Sequence, residues 1–124
     1  MASRRVERVS RLLKQAISSV LISELSDPRM GFVTVVKVEP SRDLKSAKVY
    51  VSVLGEEVVC TRTMRAIKHA AGFIRRTVGR QVTLKNIPLL EFVRDDSVKR
   101  SVRISRLIAD VVSDEPDREE SKDP

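Results

Sequence analysis

Lys68, Arg75, Arg76 and Arg80 surround the small residues Ala70-Ala71-Gly72, and cations clustered in this way bind phosphate. From Thr61 to Arg76 the apolar residues Met64, Ile67, Ala71 and Ile74 recur at steps of three and four, which predicts a helix with a glycine in its middle. Glycine inside a helix costs roughly 1 kcal/mol relative to alanine. A helix that bends at a small residue lets a second backbone come close and opens a fresh N-terminus, and both features suit a phosphate chain. The same residues also fit a packing kink or an undistorted helix, so the rest of the chain has to decide.

A second cationic group lies near the start. Val6, Val9, Leu13, Ile17, Val20 and Glu24 share one side of a first helix, flanked by Ala16 and Leu21, with Ser3 as its cap. Arg4, Arg8 and Arg11 lie almost diametrically opposite, with Lys14 nearby and Glu7 the one acid close by. One face therefore packs on a core and the other presents a one-signed ridge.

Other chemistry is thin. His69 and Cys60 are the only histidine and cysteine, which predicts no metal site and no internal disulfide. The two fall on different helix faces, His69 outward and Cys60 as a small core residue, so a Cys-His nucleophilic pair is not expected. Asp95-Asp96 could be read as paired acid-base carboxylates, but a helix cap explains them better. The chain has no glycine-rich nucleotide loop. We expect no catalytic residue, no metal, no cofactor and no small-molecule substrate. The aromatics are Phe32, Phe73, Phe92 and Tyr50. With the three Phe placed in the core, nucleic-acid binding should lean on phosphate charge and shape rather than on stacking.

The elements that position these residues follow from periodicity and breakers. Asp27-Pro28-Arg29-Met30-Gly31 ends the first helix. Phe32 to Val38 is a β-branched strand, Pro40 to Lys45 a loop, and Ala47 to Leu54 an alternating strand. Its Ala47, Val49, Val51 and Val53 point inward, and Lys48, Tyr50 and Ser52 point to the other face. Cys60, Met64, Ile67 and Ala71 line the buried side of the next helix, with Arg62, Arg65 and His69 opposite. After a break at Gly72, a short helix from Phe73 to Val78 ends near Gly79. Leu89 to Arg94 is a third strand, and Asp95-Asp96-Ser97 caps a last helix from Val98 to about Val112. The expected class is α+β: three helical segments on one face of a three-stranded mixed sheet, plus a C-terminal helix.

Length and charge agree with this. The 124 residues suffice for one core. Residues 113–124 hold six acids against two bases and should be a disordered acidic tail, so residues 1–112 carry +11 of a net formal charge of +7. A body that basic attracts polyanions. The chain has no apolar run long enough to span a bilayer and no signal-peptide pattern, so a cytoplasmic protein with no membrane partner is expected.

Read in order, Asp27-Pro28-Arg29-Met30-Gly31, Asp43-Leu44-Lys45-Ser46-Ala47-Lys48-Val49-Tyr50-Val51-Ser52, Ala70-Ala71-Gly72-Phe73-Ile74-Arg75, Pro88-Leu89-Leu90-Glu91-Phe92 and Asp95-Asp96-Ser97 resemble the bacterial ribosome-binding factor A family from Arg4 to about Ile108. The resemblance implies a single type II K-homology-like domain with a helix-kink-helix. It implies binding to the small (30S) ribosomal subunit and its precursor through 16S rRNA, late in assembly, with links to rRNA 5′-end processing and growth in the cold. It singles out Ala70 and Gly72 as the interrupted-helix positions. Ordinary K-homology domains clamp a strand with Gly-x-x-Gly, which Ala70-Ala71-Gly72 replaces, so that clamp is not carried over. From charge, the expected RNA-binding set is Arg4, Arg8, Arg11, Lys68, Arg75, Arg76, Arg80 and Lys85, joined by Ala70 and Gly72. A monomeric, non-enzymatic assembly factor is the leading expectation. The alternatives are a generic single-stranded RNA- or DNA-binding module and a protein-interaction adaptor.

Overall fold

The structure, a computed structural model, describes residues 4–24 and 27–97. The Ser3 cap, the helix expected after Ser97 and the acidic tail lie outside the described residues. The element order is α1 (Arg4–Glu24), β1 (Phe32–Pro40), β2 (Ser46–Leu54), α2 (Glu57–His69), α3 (Ala71–Gln81) and β3 (Leu89–Arg94).

The strand alternation works as the sequence implies. β2 is the central strand, antiparallel to β1 and parallel to β3. A parallel neighbour needs a crossover, and α2 with α3 supply it. Ala47, Val49, Val51 and Val53 are buried beneath the helices, together with Val35 and Val38 of β1 and Phe92 of β3. The inward register survives a bulge between Val35 and Lys37, where β1 gains one residue relative to β2. From α1 come Val9, Leu13, Ala16, Ile17, Val20 and Leu21; Val6 is half-buried and Glu24 is exposed at the helix end. Ser10 Oγ donates to the Val38 carbonyl at 2.7 Å and pins α1 to β1. Cys60, Met64 and Ile67 of α2 and Ile74 and Val78 of α3 complete the core.

Three local expectations need correction. The helix interruption falls at Ala70 rather than at Gly72. Gly72 lies in the first turn of α3, where a one-residue interruption places it. α3 runs past Gly79 to Gln81, because Gly79 is helical and lets Ile87 pack close: a Cβ there would meet Ile87 Cγ1 at 3.3 Å. Of the three Phe, only Phe92 is in the core. Phe32 is 64% exposed because β1 alternation turns it to the face away from the helices, opposite Leu54. Phe73 is 41% exposed because the core face of α3 belongs to Ile74 and Val78. Ser52 does point away from the helices, yet it is buried.

The turn into β1 is tightly built. Asp27 Oδ1 accepts the Arg29 N–H at 2.9 Å, and the Arg29 guanidinium grips the same carboxylate. This holds the Asp27 carboxyl at about 2, well below the usual carboxylate range, chiefly through the Arg29 side chain and then its N–H. Gly31 N–H donates to Thr63 Oγ1 at 2.9 Å, and Thr63 in turn donates to the Val59 carbonyl. Cys60 is fully buried, its thiol near the Val53 and Gly55 carbonyls, as expected of a core cysteine.

Candidate nucleic-acid interface

The interruption is a local backbone event. Ala70 has φ −91° and ψ 6°, between helical and extended geometry. Its N–H still donates to the Ala66 and Ile67 carbonyls, and its own carbonyl accepts the Ile74 N–H at 2.9 Å. Ala70 therefore leaves helical geometry while keeping both its own backbone hydrogen bonds. Ala70 has no side-chain acceptor for the first turn of α3, whose N–H groups receive no side-chain cap from it.

Lys68, Gly72, Arg76 and Arg80 are all exposed here. Gly72, Arg76 and Arg80 are spaced by four and so form one row along α3. Upstream, Arg62 and Arg65 continue the exposed side of α2. Thr61, Met64, Arg65 and Lys68 of α2 and Arg94 of β3 line a groove of about 380 Å³. Arg62 and Arg65 stand outside the expected set although their spacing with Lys68 gave the signal: cations recurring at steps of three along α2. Phe73 is the other addition, an exposed ring beside the kink that a base could stack on.

Arg75 has a different task from its neighbours. It is half-buried, and its Nε donates to the Ile87 and Pro88 carbonyls at 3.0 and 3.1 Å while Nη2 donates to Ile87 at 2.6 Å. The guanidinium holds the α3–β3 loop against α3, which leaves Arg76 as the outward cation of the pair.

The α1 ridge is the second cationic surface. Arg4, Arg8 and Arg11 are exposed, and α1 lies beside α3, so both rows belong to the same helical layer. The ridge is less one-signed than its sequence suggests, because Arg11 shares a shallow cleft with Glu7 and with Glu39 of β1. Lys85 lies apart from both rows, in the α3–β3 loop near Arg5. Among the described residues, no ion pair involves Arg4, Arg8, Arg11, Lys68, Arg76, Arg80 or Lys85. Arg94 differs: it pairs with Glu57 at 2.7 Å and with Asp96 at 3.0 Å, and these carboxylates raise its pKa further above the ordinary arginine value. Asp95 accepts the Ser97 N–H at 2.7 Å, the contact of a capping residue.

These features define the class: an α+β domain of order α-β-β-α-α-β whose interrupted helix and exposed cation rows lie on one side of a mixed sheet. The chain matches the family model described as "Ribosome-binding factor A" over residues 5–108. It is 44% identical to ribosome-binding factor A of Desulfitobacterium hafniense, over 99% of each chain. Among solved structures it resembles the crystal structure of ribosome-binding factor A from Thermus thermophilus. That likeness has a TM-score of 0.62 and 30% identity, covering 72% of this chain and 94% of the other. It also resembles a homology model of the Thermus thermophilus factor as fitted into a cryo-EM map of a complex with 30S, with a TM-score of 0.61 and 31% identity over 70% of this chain and 91% of that one. The chain belongs to the ribosome-binding factor A family.

Proposed function

We propose that this protein is a non-enzymatic assembly factor. It binds the small ribosomal subunit and its precursor through 16S rRNA and assists late maturation, including processing of the rRNA 5′ end. The observation that carries this reading is family membership along nearly the whole chain, with a relative of 31% identity fitted into the map of a 30S complex. The exposed cations of α1 and of the kink support it independently, since their surface suits a polyanion.

Such a factor acts by binding one conformation of the immature particle better than another and so shifting its population. Misfolded RNA helices escape more slowly in the cold, which would raise the need for it there. It works in the cytoplasm as a monomer and uses no cofactor. Arg4, Arg8 and Arg11 contact phosphates from α1; Lys68, Arg76 and Arg80 do so around Ala70 and Gly72; Lys85 adds a contact from the loop, and Arg75 acts mainly by positioning that loop. A second reading, a module that takes up single strands at the kink, is favoured by one observation, the exposed Phe73 ring.

The salt dependence of RNA affinity tests the assignment. Each phosphate contact steepens the log-log slope by about 0.7 to 0.9. Replacing Lys68 and Arg76 together by Gln should flatten the slope by roughly 1.5 on small-subunit rRNA. An unchanged slope and affinity would remove the kink from the interface. Tight, sequence-sensitive binding to short oligonucleotides with no preference for ribosomal particles would favour the second reading.

A further inference from the structure

Away from the kink, three segments enclose a cleft of about 540 Å³: the start of α1, the β1–β2 loop and the α3–β3 loop. Its floor is apolar, formed by Val9, Leu44, Leu84, Ile87 and Pro88. Its rim carries the exposed cations Arg5, Lys45 and Lys85.

Both loops are held in place before any ligand arrives. In the β1–β2 loop, Ser41 Oγ donates to Asp43 Oδ1 at 2.6 Å, the Lys45 N–H donates to the same oxygen at 3.0 Å, and Ser41 N–H donates to the Ser46 carbonyl. These bonds hold Leu44 at φ 60°, a left-handed conformation unusual for a leucine. In the α3–β3 loop, Arg75 fixes the Ile87 and Pro88 carbonyls. The Leu89 N–H donates to the Lys45 carbonyl at 3.0 Å and ties one loop to the other.

We propose that this cleft is a second RNA contact, one that receives a single unpaired nucleotide, with the base on the apolar floor and the phosphate on Arg5 and Lys85. The inference rests on the reading of the protein as an RNA-binding factor. A cleft of this size lies within the range of small-ligand sites, which combine an apolar lining with a few placed polar groups. Paired nucleotides have both base faces stacked in the duplex and would offer the floor nothing; an unpaired base offers a bare face. Asn86 at the rim has both a donor and an acceptor for a base edge. Asp43 is the one acid among the described residues of the lining, and its hydrogen bonds from Ser41 and Lys45 hold its carboxyl below the usual range. It therefore stays negative and directs the phosphate to the Arg5 and Lys85 side. A free mononucleotide shares this chemistry, so the test separates the two sources.

The experiment uses the full chain and fluorescence anisotropy with two labelled RNA hairpins, identical except that one carries a single bulged nucleotide. The bulged hairpin should bind on the order of tenfold more tightly, the factor given by burying about 55 Å² of base surface. Arg5→Gln should lower affinity for the bulged hairpin and leave the paired one nearly unchanged. Leu84→Ser should do the same, and thermal melts verify that each variant is folded. Equal wild-type affinity for the two hairpins, or a preference that survives Arg5→Gln and Leu84→Ser, overturns the proposal. So does saturable binding of free uridylate or adenylate as tight as that of the bulged hairpin, which would make this a mononucleotide site. Small-subunit co-sedimentation of the wild type separates the two failures. If it is retained while the cleft variants behave as wild type, only the cleft falls; if it is absent, the assembly-factor reading falls.

Discussion

Gly31 and Gly72 bracket the range of reasons for a glycine, and replacing each by alanine should move stability in opposite directions. A Cβ on Gly31 would lie 2.6 Å from the Leu54 carbonyl oxygen and 2.7 Å from Val53 Cγ1. The oxygen cannot retreat alone, because Leu54 is paired with Phe32 at the end of the hairpin. Overpacking of this kind costs about 1–3 kcal/mol. Displacing Gly31 also loosens its bond to the buried Thr63, worth about 1 kcal/mol. Gly31→Ala should therefore cost roughly 2–4 kcal/mol and lower Tm by roughly 10–20 °C. A Cβ on Gly72 meets only Arg76 Nη1, at an ordinary 3.5 Å. Gly72→Ala should gain about 0.5 kcal/mol, less than the mid-helix value because the site lies in the first turn, and raise Tm by roughly 2–4 °C. Thermal melts followed by circular dichroism, with urea titrations checking that the m-value is constant, measure both. A neutral Gly31→Ala, or a Gly72→Ala as destabilising as Gly31→Ala, would refute the reasoning. Among the described residues, no contact requires Gly72. If close approach of RNA backbone does, Gly72→Ala gains stability and loses small-subunit affinity together.

Arg75→Ala should cost about 1.5–3 kcal/mol by removing a charged donor from two carbonyls, and Arg75→Lys should recover only part, since an ammonium cannot reproduce the fork; urea unfolding and hydrogen exchange across residues 82–88 measure it. The Asp27 carboxyl, lowered from the ordinary 3.8 to about 2, contributes stability that is fully present above pH 3.8 and is lost as pH falls from there toward 2. A carboxyl NMR titration should find that midpoint near 2, and Arg29→Gln should move it up; an unmoved midpoint contradicts the assigned cause. The Arg94–Glu57 pair is bidentate, but the Glu57 side chain is 70% exposed, so a double-mutant cycle on unfolding free energy should give a coupling of only about 0.5–1 kcal/mol.

The legibility of the chain varied with the range of the forces involved. Period-two alternation from Ala47 to Leu54 placed β2 within one residue, because four inward branched or small residues on a central strand leave no other register. The α1 core face was legible for the same reason. The helix interruption was misplaced by two residues, since propensity marks Gly72 as the weak point while the backbone leaves helical geometry at Ala70. Phe32 and Phe73 went astray because composition ranks phenylalanine as core without saying which face of an element it occupies. Arg75 and Arg76 look alike in sequence. Only the path of the α3–β3 loop turns Arg75 toward the Ile87 and Pro88 carbonyls and leaves Arg76 outside. The cleft between the two loops was not legible at all: the loops of Lys45 and Lys85 are tied together by the Leu89–Lys45 backbone bond, which no local pattern announces.

The most direct test of the central claim is co-sedimentation of the purified protein with small subunits, large subunits and whole ribosomes at low and moderate salt. The assembly-factor account predicts migration with free small subunits, persisting at moderate salt and absent from large subunits. Equal association with every particle, or none with small subunits, would contradict it.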